Sequence, residues 1–267
     1  MLILVRGGGD LASGVTLRLH RSGFQVLIAE LPQPLVVRRL VSFAEAVFRG
    51  EMQVEEAVAR RAEHIEGALS IQKKGMIPVL VDPDLASVAE LQPEVLIDGR
   101  MRKAAPELGM EAAQLVIGLG PGFTAGENCH AVIETNRGHL LGRVLWEGSP
   151  EADTGIPESV LNRREERVLR SPADGELIVH AEICDHLEAG QPVADVDGEM
   201  IYAPFPGVLR GILHSGVHVQ QGLKIGDIDP RDDPVYCTVV SDKSLAVGGG
   251  VLEAILSRPD LRDKIGG

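Results

Sequence analysis

Leu2 to Val5 is an unbroken apolar, β-prone run that stops at Arg6. Gly7, Gly8 and Gly9 follow, and then Leu11, Val15 and Leu19 recur at a spacing of four, one face of a helix that Gly23 closes. Gln25 to Glu30 is the next strand. Strand, glycine turn, helix, glycine and strand make a βαβ unit with a right-handed crossover. The rhythm then repeats more loosely. Helices are expected over 42–48 and 54–62, a strand over 77–81 ended by Asp82-Pro83, a short helix over 85–91 closed by Pro93, and strands over 95–97 and 115–117. Such alternation predicts an α/β fold, Rossmann-like, with a mostly parallel sheet over residues 1–165. After Gly122 the pattern changes to two apolar runs, 131–134 and 140–145, about a Thr-Asn-Arg-Gly turn, which reads as an antiparallel addition to the sheet.

The second part of the chain carries a duplication. Residues 171–197 align without gaps on 203–229, an offset of 32, with Pro172/Pro204, Gly175/Gly207, Leu177/Leu209, His186/His218, Gly190/Gly222, Asp195/Asp227 and Asp197/Asp229 identical. Average composition gives roughly two identities by chance over such a length. Neither copy closes a core alone, so the two are expected to pack about an approximate twofold axis. Asp197-Gly198 between them signals a hairpin. With Ala203-Pro204-Phe205-Pro206-Gly207-Val208-Leu209 this resembles the biotinyl/lipoyl carrier fold, and a C-terminal all-β barrel-sandwich domain is expected over 168–230. The hairpin tip has no lysine, so neither biotin nor lipoate is expected. The charged run Arg163 to Arg167 suits a linker. Residues 231–267, with a strand-like 235–240 and a helix over 251–256, are expected to pack back on the α/β domain.

Composition narrows the function classes. At 267 residues with 44 % apolar content the chain fits about two domains with ordinary cores. Glycine is abundant, at 31 residues, without a collagen period. Aromatics at 3 % and a net charge of −13 argue against a nucleic-acid partner. No leader pattern or bilayer-length apolar run is visible, so no membrane partner and a cytoplasmic location are expected. Cys129, Cys184 and Cys237 are odd in number and widely spaced, consistent with free thiols in a reducing compartment. His186 and His218, with their paired aspartates, read as repeated surface residues rather than metal ligands, so no metal is expected.

Candidate chemistry concentrates at the first βα turn. Gly7, Gly9 and Ala12 fit G-x-G-x-x-A: a tight turn, a backbone able to approach phosphate, and a small residue that lets the helix pack closely. Gly8 and Asp10 complete the loop, with Asp10 adding a negative charge near the proposed phosphate. Glu30 ends the second strand, where an acid can bind ribose hydroxyls. The alternative is a glycine turn retained for packing. No GxxxxGK[ST] pattern follows, so a P-loop is not indicated. Arg38, Arg39, Arg100, Arg102 and Lys103 form a basic rim suited to a small anionic ligand, or else solvated element ends. Gly118-Leu119-Gly120-Pro121-Gly122 offers a second anion nest at Gly120 or simply a sharp turn. Cys129 and His130 are sequence neighbours and point to opposite faces of a strand, which disfavours a nucleophile–base pair; His139 has no assigned role.

Segments across the chain carry a resemblance: VRGGGDLASGVTLRLHRSGFQVLIAELPQPLVVRR, GLGPGF, HAVIETNRGHLLGRV, KIGDIDPR and GGGVLEAI. These are similar to the YqeB-type family of the selenium-dependent molybdenum hydroxylase system. Cys129 stands where an aliphatic residue is expected. The resemblance implies an accessory role in maturation of those hydroxylases, with an apo-hydroxylase as partner; it carries over no catalytic residue. Two functions follow as expectations. One is an accessory protein that binds the molybdenum cofactor or a dinucleotide at Gly7, Gly8, Gly9, Asp10, Ala12, Glu30, Arg39, Arg100 and Gly120. The other is an NAD(P)-dependent oxidoreductase of small molecules.

Overall fold

The computed structural model describes residues 1–152, 160, 161, 163 and 165–264. The chain divides into two units, the described residues of Met1–Pro34, Ser42–Asp153 and Val240–Gly267 forming one, and those of Leu35–Val41 and Thr154–Val239 the other. The first unit is thus drawn from three stretches of chain.

In the first unit, β1 (Leu2–Arg6), α1 (Asp10–Arg21) and β2 (Gln25–Glu30) form the βαβ start. A short helix α2 (Ala46–Arg49) leads into the hairpin β3 (Glu51–Val54) and β4 (Ala57–Ala62). Then come α3 (Ile65–Gln72), β5 (Ile77–Val81), α4 (Ser87–Leu91), β6 (Val95–Asp98), β7 (Leu115–Leu119), β8 (Ala131–Ile133) and β9 (Val144–Leu145). The sheet order is β3-β4-β5-β2-β1-β6-β7-β8-β9. β4 to β8 run parallel to their neighbours, and β3 and β9 close the two edges antiparallel. The central strands are buried on both faces, which is why they read as continuous apolar runs.

Two expected elements take another form. Residues 54–62, expected helical, turn at Glu55 with φ 51° and pair as a hairpin. The alanines and arginines there favour a helix intrinsically, but β4 gains a parallel partner in β5, and Ala57, Ala59 and Ala62 are buried. Residues 42–48, also expected as one helix, form one 3-10 turn, Phe43–Glu45, and the start of α2.

The second unit contains β10 (Val168–Arg170), β11 (Gly175–Val179), β12 (His186–Leu187), β13 (Pro192–Val196), β14 (Glu199–Tyr202), β15 (Gly207–Ile212), β16 (His218–Val219) and β17 (Lys224–Asp229), followed by α5 (Val235–Thr238). The repeat offset maps β11 onto β15, β12 onto β16 and β13 onto β17. Pairing is reciprocal: β11 pairs with β13 and β16, and β15 pairs with β17 and β12.

This corrects the expected biotinyl/lipoyl-like barrel-sandwich. The strands divide into two separate four-stranded antiparallel sheets, β10-β17-β15-β12 and β14-β13-β11-β16. Each keeps two open edges, so no ladder closes into a barrel. Residues 235–238 form α5 rather than a strand, with Pro234 at its start, where a missing N–H costs nothing.

The charged junction makes specific contacts among its described residues. Arg163 lies over the Phe205 ring at 4.1 Å, and Arg167 is buried against Asp227 at 2.8 Å; Arg164 lies outside the described residues. From Val240 the chain rejoins the first unit as α6 (Asp242–Leu256) and α7 (Pro259–Arg262).

Candidate functional site

Parallel sheets bind ligands beyond the carboxyl ends of their strands, at the point where the strand order reverses. Here the chain runs from β1 outward to β2, and β6 later adds on the opposite side of β1. The reversal therefore lies between β1 and β6. Arg6 ends β1, Asp98 ends β6, and Gly99-Arg100 follows.

Three guanidinium groups converge there. Arg6 Nη1 donates to Glu107 Oε2 at 2.8 Å, and its Nη2 donates to the Pro83 carbonyl at 3.0 Å. Arg100 grips Asp98 with two bonds, Nε to Oδ1 at 2.9 Å and Nη2 to Oδ2 at 2.6 Å, and also reaches Glu107 at 2.8 Å. Arg102 donates to the other Glu107 oxygen. Arg6 is buried, and burial first, then the Arg100 charge, pull its pKa below the usual arginine value. Two carboxylates face this group: the buried Asp98, 3.9 Å from Arg6 Nη1, and the loop residue Glu107, whose side chain is 50 % exposed. Such an arrangement holds one anionic group firmly and offers a site where another can replace it.

The glycine turn beside it is closed by its own surroundings. Gly7 has φ +90° and donates to the Ala29 carbonyl at 2.8 Å; a Cβ there would sit 3.1 Å from Arg100 Cγ. Gly8 donates to Glu30 Oε1 at 2.7 Å, and its carbonyl accepts from Ser13 Oγ at 2.8 Å and from Ala44 N at 2.9 Å. Gly9 is the N-cap of α1 and brings no side chain to cap it. Asp10 accepts from Ser244 Oγ at 3.2 Å, on α6. Ala12 is buried, and a Cβ on Gly99 would come within 2.7 Å of its own Cβ, so this contact sets how closely α1 approaches β6.

Glu30 holds the turn rather than presenting a free carboxylate. Its second oxygen accepts from Leu31 N at 2.6 Å, and the side chain is buried. Burial raises its pKa above the usual carboxylate value, against the opposing pull of the Gly8 and Leu31 N–H groups and of Arg100.

The structure brings together Gly7, Gly8, Gly9, Ala12, Glu30 and Arg100 at the carboxyl ends of β1, β2 and β6. Gly120, at φ +97°, follows β7 and abuts Met101 of the loop after β6; a Cβ would lie 3.1 Å from the Met101 sulfur. Arg39, also in the expected set, lies in another stretch of the chain. It belongs to the second unit, where its Nε donates to the Ile212 carbonyl at 2.7 Å. Arg38 likewise serves the carbonyls of Tyr236 and Val239. Arg6 and Glu107 were not singled out from the sequence. A charge ending an apolar strand just before a glycine turn is the available signal for Arg6; nothing local marks Glu107, which lies 101 residues away.

Other candidates resolve as structural. Cys129 is buried, which pushes its thiol up to about 11, and His130 Nδ1 accepts from Val116 N at 2.9 Å. His186 pairs with Asp232 at 2.8 Å. Among the described residues no cluster of three or more His, Cys, Asp or Glu is arranged to hold a metal ion, and no helix is long and apolar enough to cross a membrane.

No family model matches the chain. It is 45 % identical over 255 residues, 96 % of its length, to a protein of Escherichia coli K12 described as uncharacterized protein YqeB, of which it spans 47 %, about half. Two similar solved structures are an aspartoacylase family protein from Mesorhizobium loti, 11 % identical with a TM-score of 0.26 and covering 85 % of this chain and 83 % of that one, and the ectoine utilization protein EutE (DoeB) from Ruegeria pomeroyi, 9 % identical with a TM-score of 0.25 and covering 85 % of each. At these scores neither likeness carries an argument. The sequence match thus likens this chain to about half the length of that YqeB protein.

Proposed function

We propose that this chain is an accessory protein in the maturation of selenium-dependent molybdenum hydroxylases, and that it holds a phosphate-bearing small molecule, the molybdenum cofactor or its dinucleotide form, at the carboxyl ends of β1 and β6. The process comes from the YqeB-type resemblance, which also suggests an apo-hydroxylase as partner; the cytoplasmic setting rests on the free cysteines, widely spaced in sequence. The anion site rests on one observation, the convergence of Arg6, Arg100 and Arg102 on the half-exposed Glu107 at the sheet's reversal point. Arginine forks match phosphate as they match carboxylate, so a phosphate that displaces Glu107 keeps every guanidinium paired. The uncapped start of α1 adds favourable N–H groups beside it. The oxidoreductase alternative gains nothing from Glu30, both of whose oxygens are already engaged with backbone.

Pyrophosphate titration followed by calorimetry tests the site. Each charge-assisted bond contributes ~1.5–3 kcal/mol, so Arg100→Ala or Arg102→Ala should weaken binding about 10- to 100-fold. Glu107→Gln removes the internal competitor and should tighten binding. Failure of both wild type and Glu107→Gln to bind pyrophosphate overturns the anion site. The maturation role is tested separately, by the molybdenum content of a selenium-dependent hydroxylase purified from cells that lack this protein. Unchanged content rejects that role.

A further inference from the structure

The turn before β12 holds a cysteine where its backbone favours glycine. Asp185 N donates to the Glu182 carbonyl at 3.1 Å, which closes a turn over residues 182–185. Cys184 is the third residue of that turn, with φ +85°. Glycine takes this conformation at no steric cost, whereas a side chain there is strained. The repeat supplies the comparison. At the offset of 32, Cys184 falls on Gly216, which has φ +88°. Cys184 N donates to the Leu209 carbonyl at 3.0 Å, and Gly216 N donates to the Leu177 carbonyl at 2.8 Å, the equivalent bond. The two copies share one backbone conformation, and the first carries a strained side chain where the second has none.

That side chain has a neighbour from a distant part of the sequence. Cys237, on α5, is buried, and its Sγ donates to the same Leu209 carbonyl at 3.7 Å. The two thiols are within hydrogen-bond reach of each other. Burial first, then the Cys184 thiol, hold the Cys237 pKa well above its ordinary value, so Cys237 stays a protonated, shielded thiol. Cys184 is partly exposed, and both cysteines are free. One thiol is open to solvent, the other lies behind it, and the Leu209 carbonyl brings them together. Both belong to the second unit.

We propose that Cys184 and Cys237 form a redox-sensitive pair that a peroxide converts into a disulfide, fastening α5 to the turn before β12. The exposed Cys184 meets the oxidant first. Its sulfur bonds to one peroxide oxygen, the O–O bond breaks, and the thiol proton leaves with the other oxygen as water. The Cys237 sulfur then attacks the sulfenic acid. The S–S bond forms, the S–O bond breaks, and the Cys237 proton leaves in a second water. The two thiols lose two electrons, and the peroxide gains them. A dithiol reductant reverses the bond by exchange. α5 spans only Val235–Thr238, too short to persist as an isolated helix, so a covalent tie at Cys237 changes how firmly it is held.

The full chain, reduced and then treated with hydrogen peroxide, is followed by intact mass, peptide mapping and amide exchange. The expected result is a mass lower by two hydrogens and a cross-link between the peptides that carry Cys184 and Cys237. The amides of residues 235–238 should exchange roughly tenfold more slowly after closure. Dithiothreitol should reverse all three changes. Cys184→Gly suits the same backbone and should melt no lower than the reduced wild type. Under peroxide it should form no cross-link, and its buried Cys237 should stay unmodified. The proposal is overturned by the absence of a cross-link in the wild type, by a cross-link through Cys129, or by stable oxygen addition at Cys184 without closure. Unchanged α5 exchange after closure, or ready oxidation of Cys237 in Cys184→Gly, overturns it as well.

Discussion

Glu30 carries more of the local structure than of any ligand. Its carboxylate satisfies the buried N–H of Gly8, and Gly8 in turn anchors Ser13 and Ala44 through its carbonyl. Truncation to alanine strands that N–H. The expected cost is ~1–3 kcal/mol, read as a lower urea midpoint with no ligand present. A role confined to ribose binding would leave the midpoint unchanged. Its ionisation has a defined sign. Because the folded pKa is raised by burial, the native state holds the proton more tightly than the unfolded chain. Stability from this group is therefore greatest at low pH and falls as pH rises through the window above the ordinary carboxylate value. The stability difference between wild type and Glu30→Gln should shrink over that window and then level off. The position of Glu30 at a strand end was legible from the apolar run before it. Its partner was not, because that depends on how Gly7 and Gly8 fold the turn back toward β2. The Arg6–Glu107 contact was illegible for a plainer reason: it joins residues far apart in sequence through a loop with no periodic pattern.

Elements were legible where burial on both sides imposed a continuous apolar run, as in β1, β2 and β5. They were misread where tertiary pairing overrode intrinsic preference. The Ala/Arg-rich β4 is one case, and the run Gly248-Gly249-Gly250 inside α6 is another. Glycine costs about 1 kcal/mol relative to alanine in a helix, so three together need a packing reason. Two of them have one. A Cβ on Gly250 would lie 2.1 Å from the Gly142 carbonyl, and one on Gly248 3.1 Å from the Gly14 carbonyl. Gly14 on α1 is equally tight, with Ser244 Cβ 2.4 Å from the added atom. Gly249 meets nothing within 4 Å. The two helices therefore approach through small residues on one face only. Gly14→Ala should destabilise by ~1–3 kcal/mol through overpacking. Gly249→Ala should stabilise by ~0.5–1 kcal/mol through helix propensity alone. Thermal melts of the two variants side by side check this; a shift of the same sign in both would mean that the close approach does not govern the α1–α6 contact.

At the scale of the whole chain, sequence order and spatial unit part company, and this limits what a linear reading of domains delivers. The repeat is visible in sequence because its copies conserve turn and buried positions. The reciprocal pairing of β11 with β16 and β15 with β12 is not, because hydrogen bonding between copies leaves no trace in either one. The first unit takes its last helices from residues after Val240, which lie within the segment expected to pack back on it. α6 buries Val247, Val251, Ala254 and Ile255, its Ser244 bonds Asp10, and its Asp242 forms two bonds with Arg137 at 2.6 and 2.7 Å. Val240 N also donates to Glu55 at 3.0 Å. A fragment of residues 1–165 lacks all of these partners and leaves the glycine face of α1 open to water. It also retains Leu35–Val41, which belongs with the second unit. Such a fragment should therefore bind a hydrophobic dye, lack a cooperative melt and exchange the α1 amides quickly. Adding a peptide of residues 240–264 should restore part of the protection at α1, and the same peptide carrying Gly250→Val should not. A fragment that melts cooperatively on its own, with α1 protected as in the full chain, would show that the first unit does not need its C-terminal helices.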